Sequence, residues 1–269
     1  MVFLFGLACV PSLSAQEKIW VTVDAAVPIT KDDMAAAKQR AHATAERNAV
    51  AEALTPGISI QNLLVNLRLS GSIVGVIPFG RIEEKQILEE GPLQKASAYH
   101  VKMKAAVVRQ NDEQTPSFQI NATINQNTLT DGDELQISLR STKACYFAIF
   151  NILEDNKIIR LLPNQLSKKN HLASGEAFQF PDSNDRKKGL KLRVHLPQDK
   201  QQVTESIYIL ALDRSFKLDT VGAQEGIFGV FNGHTAFLKD LIREVVAIPL
   251  KDRAEALLQY EIRQTHAKT

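Results

Sequence analysis

Residues 132–164 read Gly-Asp-Glu-Leu-Gln-Ile-Ser-Leu-Arg-Ser-Thr-Lys-Ala-Cys-Tyr-Phe-Ala-Ile-Phe-Asn-Ile-Leu-Glu-Asp-Asn-Lys-Ile-Ile-Arg-Leu-Leu-Pro-Asn, and this stretch decides the fold. Leu135, Ile137 and Leu139 alternate with Gln136, Ser138 and Arg140, which is the period-two pattern of a half-buried strand. From Ala144 to Leu153 the chain is almost wholly apolar, as a central strand buried on both faces requires. Glu154-Asp155-Asn156-Lys157 supplies turn residues. Ile158 to Leu162 then returns, and Pro163-Asn164 stops the ladder.

The same alternation continues on both sides. Upstream, Phe118, Ile120, Ala122 and Ile124 alternate with polar residues. Downstream, Leu190, Leu192, Val194 and Leu196 do the same, Ile207 to Leu212 is another apolar strand, and Leu258, Tyr260 and Ile262 mark a closing strand. Phe237, Leu238, Leu241, Ile242, Val245 and Val246 fall on one helical face, so a helix packs on the sheets. About seven strands at this spacing predict a mainly antiparallel β-sandwich with a C-terminal helix.

This region resembles a bacterial family known as a domain of unknown function, number four-three-eight-four. The likeness rests on Gly132-Asp133, Tyr146 to Ile152, Asp155-Asn156 and Leu161-Leu162-Pro163-Asn164. Ala173 with Gly175-Glu176 and Phe180-Pro181 complete it. The resemblance implies a fold and no particular chemistry.

Ahead of it, Ile19, Val21, Val23 and Ala25 alternate with Trp20, Thr22 and Asp24 in a strand that Pro28 ends. Thr30-Lys31-Asp32-Asp33 reads as a cap with an acidic first turn. The helix from Lys31 to Leu54 then sets Ala37, Ala41, Ala45, Ala49 and Ala53 in one stripe, which lets it lie close to a sheet. Ile60 to Leu69 reads as a shorter second helix, although its apolar residues also allow a strand, and Ser70 to Gly80, with three glycines and Pro78, as a loop or an irregular strand. Arg81 to Leu88 and Ser97 to Val108 read as a hairpin joined by Glu89-Glu90-Gly91-Pro92. The order, with the Ala36 to Leu54 helix and the strand at Tyr99 to Met103, resembles the N-terminal domain of flagellar assembly protein T and related small envelope lipoproteins. That resemblance implies a partner-binding role in the envelope.

The fold class is therefore α+β: a small sheet with an Ala-rich helix, then the sandwich. Residues 1–15 read as a signal peptide, 16–109 as the first domain, 110–116 as a polar linker ending in proline, and 117–269 as the second domain. Met1 to Ala15 is uncharged and apolar and ends in small residues, as a secretory leader does. Lipid attachment at Cys9 is the alternative. The expected location is periplasmic or secreted. Without the leader Cys145 is the single cysteine, so no intramolecular disulfide forms and stability must come from burial. The net charge of +2 gives no global attraction to nucleic acid or anionic membrane.

Catalytic patterns are missing from the sequence. The six histidines have no metal-ligand spacing. Cys145 opens an apolar strand, where a thiol acts as a small hydrophobe. No nucleophile elbow or phosphate loop occurs. His42 and Glu46, one turn apart, read as an exposed polar pair, and the adjacent acids Glu83-Glu84 and Glu89-Glu90 read as pointing to opposite strand faces. Asp182 to Asp185 reads as a solvated turn. No enzyme activity, cofactor or metal is expected.

Two binding candidates remain. Ile227, Phe228 and Phe231, in the Gly-rich segment 222–233, are either anchors for a partner or a plug for the sandwich. Arg186, Lys187, Lys188, Lys191 and Arg193, with Lys168-Lys169 nearby, are either a basic rim for an anionic ligand or a solvated turn and strand face. The leading expectation is an exported, non-catalytic interaction or assembly protein of the cell envelope with a protein partner. The alternative is a periplasmic module that binds peptidoglycan, polysaccharide or lipid headgroups.

Overall fold

The computed structural model describes residues 17–30, 33–54, 79–93, 97–110, 117–155, 157–215, 223–224, 228–231, 241, 245 and 248–264. The expected leader, the expected helix at residues 60–69 and most of the expected linker lie outside these residues, as does most of the expected C-terminal helix.

The first layer is an antiparallel sheet of β1 (Lys18–Pro28), β2 (Phe79–Leu93) and β3 (Ala98–Gln110), in the order β1-β3-β2. Helix α1 (Met34–Leu54) covers one face. Its five stripe alanines are buried against Val23, Ala25, Val101, Met103, Ala105 and Val107. Small side chains bring the helix axis near the strands at little entropic cost. Asp33 rather than Thr30 caps the helix, since Asp33 Oδ1 accepts from the Ala36 N–H at 2.9 Å.

The hairpin differs from its sequence reading. Glu89-Glu90-Gly91-Pro92 lies within β2, and the connection to β3 comes after Leu93. A sheet edge tolerates Pro92, whose missing N–H breaks no inner ladder. Gly80 likewise belongs to β2, because the chain passes Leu54 closely there: a Cβ would stand 2.5 Å from Leu54 Cδ1. The glycine serves close packing, not a turn.

A bulge between Ile82 and Glu84 also places both neighbouring acids on one cation, with Lys18 Nζ 3.1 Å from Glu83 and 2.5 Å from Glu84. His42 and Glu46 each reach β2 instead of each other. His42 pairs with Glu90 at 2.7 Å and Glu46 with Lys85 at 2.6 Å.

The described residues from 117 onward form the sandwich. Its strands are β4 (Ile120–Ile124), β5 (Thr128–Thr130), β6 (Glu134–Leu135), β7 (Ile137–Ser141), β8 (Cys145–Ile152), β9 (Ile158–Leu162), β10 (His171–Leu172) and β11 (Ala177–Phe180). After helix α2 (Ser183–Lys187) come β12 (Leu192–Arg193), β13 (Gln202–Leu212), β14 (Ala223–Gln224), β15 (Gly229–Phe231) and β16 (Arg253–Arg263). Among the described residues the large sheet runs β14-β15-β9-β8-β13-β16-β5, with β10 also on β8. The small sheet runs β11-β7-β4, and β12 pairs with β6.

Register shows how β8 and β13 serve two cores. Ile149 faces Ile209 and Phe147 faces Ala211, and these point into the sandwich with Ile137, Leu139 and Phe180. Phe150 faces Tyr208 and Ala148 faces Leu210, and these join the other cluster, which continues into the α1 layer. Leu241 and Val245 are helical and buried in that second cluster, as the sequence predicts for this face. Arg253, only 2% exposed, donates from Nη1 to the Val245 carbonyl at 2.5 Å. Desolvation lowers its pKa to about 10, so it remains a cation at neutral pH and ties that helical segment to β16.

The alanine stripe yields a test. Ala45→Leu forces extra volume between α1 and the sheet and is expected to cost about 1–3 kcal/mol in denaturant unfolding. Ala35→Leu, at an exposed position of the same helix, should change stability by less than about 0.5 kcal/mol.

Candidate functional site

At one end of the sandwich a cavity of about 260 Å³ opens between β9, β12, β13 and β16. Leu135, Leu153, Ile159, Leu161, Leu192, Val194 and Phe228 form apolar walls. Lys191, Arg193 and His195 contribute positive and polar groups from the segment around β12. Asn151, Glu205 and Tyr260 add a polar cluster on the sandwich-facing side of the large sheet.

The cluster arises from strand alternation. Val203, Glu205, Ile207, Ile209 and Ala211 share the inward face of β13, so one acid occupies a core position. Opposite it on β16 is Tyr260, whose hydroxyl donates to Glu205 Oε2 at 2.6 Å. Asn151 Nδ2 donates to the same oxygen at 2.9 Å. Oε1 has no hydrogen bond among the described residues. Glu205 is only 9% exposed, and burial pushes its pKa above the ordinary 4.5, opposed by the Tyr260 and Asn151 bonds. Burial, with the neighbouring carboxylate, also raises the Tyr260 pKa, so the phenol stays a donor. The site presents an acceptor in the lining of a cavity with mostly apolar walls.

The structure thus brings together parts of both sequence candidates. Phe228, half-buried against the sandwich core, shares the cavity with Lys191 and Arg193. Phe231 is the last residue of β15, whereas Ile227 lies outside the described residues. The remaining cations are dispersed. Arg186 and Lys191 both bind Glu134, at 2.7 and 3.0 Å, and Lys169 pairs with Asp182. Lys187 is exposed, Lys168 is exposed, and Lys188 donates to the Leu166 carbonyl at 3.3 Å.

Asp182 to Asp185 is not a solvated turn. It begins α2 through a capping box, in which Asp182 Oδ1 accepts from the Asp185 N–H at 2.7 Å and Asp185 is buried.

A larger cleft, about 550 Å³, separates α1 and β2 from Arg214 and Ile248. Its charges are largely engaged: Glu46 with Lys85, Glu83 with Lys18, and Arg214 with Asp213 at 2.8 Å. Cys145 is buried, and desolvation raises its thiol pKa. Among the described residues no three His, Cys, Asp or Glu side chains are grouped to hold a metal ion, and no helix is long and apolar enough to cross a membrane.

Asn151, Glu205 and Tyr260 were not singled out by sequence reasoning. The available sign was a lone acid in the core-facing alternation of β13. Linking it to residues 54 and 55 positions away in the chain required the sheet register.

Glu205 carries a pH signature. The unfolded chain releases this proton first as pH rises, so the residue's contribution to stability falls above about pH 4.5 and levels off beyond its folded pKa. The stability of wild type relative to Glu205→Gln should therefore decrease between about pH 4 and pH 7, read from urea midpoints. A difference that rises with pH would contradict the burial account.

Residues 128–213, about a third of the chain, match the family described as Domain of unknown function (DUF4384). The matched segment runs from β5 to just past β13 and supplies Asn151, Lys191, Arg193 and Glu205, whereas Phe228 and Tyr260 lie beyond it. No curated protein matches the chain.

Proposed function

We propose that this is a non-catalytic binding protein that captures a protein partner at the sandwich-end cavity, acting in assembly within the bacterial cell envelope after export. The convergence of Phe228, Lys191 and Arg193 on one cavity carries this reading. An apolar recess with a few placed polar groups is a common way to receive an anchoring side chain. Its volume falls below the ~300–1,000 Å³ usual for small-molecule sites, which favours one inserted group over a large ligand. The apolar run ending at Ala15 supports export, and the N-terminal resemblance supports the envelope setting.

Binding of an anionic polymer is the weaker alternative. It needs a continuous cationic surface, yet Arg186 and Lys191 converge on Glu134 and Lys169 is bound to Asp182. Their field at a distance is partly offset.

A photo-crosslinker at His195, an exposed position lining the cavity, should capture one defined envelope protein in cells. Phe228→Ala should reduce that capture at least about tenfold while the thermal unfolding midpoint shows the fold intact, a loss typical of a binding hot spot. Arg193→Glu provides a second variant that leaves the apolar packing in place. Undiminished capture in both folded variants, or salt-reversible retention on envelope polymer instead, would contradict the proposal.

A further inference from the structure

We propose that the cavity receives a primary ammonium on an unbranched apolar stem, with the Glu205 carboxylate as its counter-ion and Oε1 as its acceptor. The inference rests on reading the cavity as the binding site and specifies the group that enters it. Three observations carry it.

Glu205 is only 9% exposed as a residue and lines an open cavity. Its two hydrogen bonds come from neutral groups, Tyr260 and Asn151, and both end on Oε2. No cation among the described residues is paired with it, although a buried charge is costly without such a partner. An ammonium would complete the set.

The walls set the form of the rest of the ligand. Leu135, Leu192 and Phe228 present hydrocarbon, so a methylene stem is accommodated and a second polar group within it is not. The cations lining the cavity do not close it to a positive tip. Lys191 Nζ is held by Glu134 at 3.0 Å, and His195 Nδ1 lies 3.7 Å from Asp131. Arg193 has no ion pair among the described residues and suits a carboxylate at the far end of a ligand. The same ammonium chemistry is offered by a lysine side chain of a partner and by a free amino acid-like zwitterion.

The test uses the mature protein and three acids of equal chain length: 6-aminohexanoate, 6-hydroxyhexanoate and hexanoate. Binding is followed by chemical-shift changes of the Glu205 and Phe228 amides. The common carboxylate keeps the interaction with Arg193 constant while the tip changes. Wild type should bind the amine at least about tenfold more tightly than the alcohol or the hydrocarbon acid, and Glu205→Gln should abolish that preference while its amide spectrum shows the fold retained. Equal or weaker binding of the amine, or a preference that survives Glu205→Gln, would overturn the proposal.

Nα-acetyl-lysine methylamide separates the sources. Competition by it at the same amides points to a partner's lysine, whereas competition by 6-aminohexanoate alone points to a free zwitterion. Loss of amine selectivity with Phe228-dependent capture intact would remove this assignment and leave the partner-binding reading standing.

Discussion

The architecture depends on β8 and β13 being buried on both faces. Alternate side chains of these strands feed two separate clusters: Phe147, Ile149, Ile207 and Ile209 build the sandwich interior, while Ala148, Phe150, Tyr208 and Leu210 build the opposite face. A strand in this position can carry a polar side chain only where a partner stands beside it, because no water compensates for a lost hydrogen bond. Tyr208 satisfies the rule by donating to Glu255 at 2.7 Å. Arg253, also on that face, meets the Val245 carbonyl.

Glu205 obeys the same rule incompletely, as does Arg253, whose Nε and Nη2 have no hydrogen-bond partner among the described residues, but Glu205 lines a cavity. Two donors fill one oxygen, while the other has no hydrogen bond among the described residues, and the residue lines the cavity. Nearby, Phe228 and Val194 limit water, which strengthens any charge interaction made there. By contrast, the ion pairs between α1 and β2, such as Lys38 with Glu90 at 2.6 Å, stand at the surface and contribute little individually. The first layer is held chiefly by its alanine stripe.

Much of this arrangement was legible in the chain. The alternation around Ile137 and the apolar run at Phe147 correctly marked an inner strand and its two-sided burial, and the alanines of α1 marked a close helix–sheet contact. Local cues misled where sheet position changes their meaning. Pro92 and Gly80 resemble turn residues, but an edge strand and a tight approach to Leu54 keep them in β2. Glu83 and Glu84 reach one lysine because a bulge alters the side-chain period. Phe228 and Arg193 each stood out in sequence, whereas their sharing of a cavity depends on the meeting of distant strands. Glu205 and Tyr260 became a pair only through the β13–β16 register.

The most direct measurement is a site-resolved carbon-13 titration of the Glu205 side-chain carboxyl, with and without 6-aminohexanoate. A midpoint above 4.5 in the free protein, lowered when the amine is present, is the predicted result, because an added cation favours the ionised form. A midpoint at or below 4.5 that the amine leaves unchanged would contradict a buried carboxylate awaiting a positive ligand.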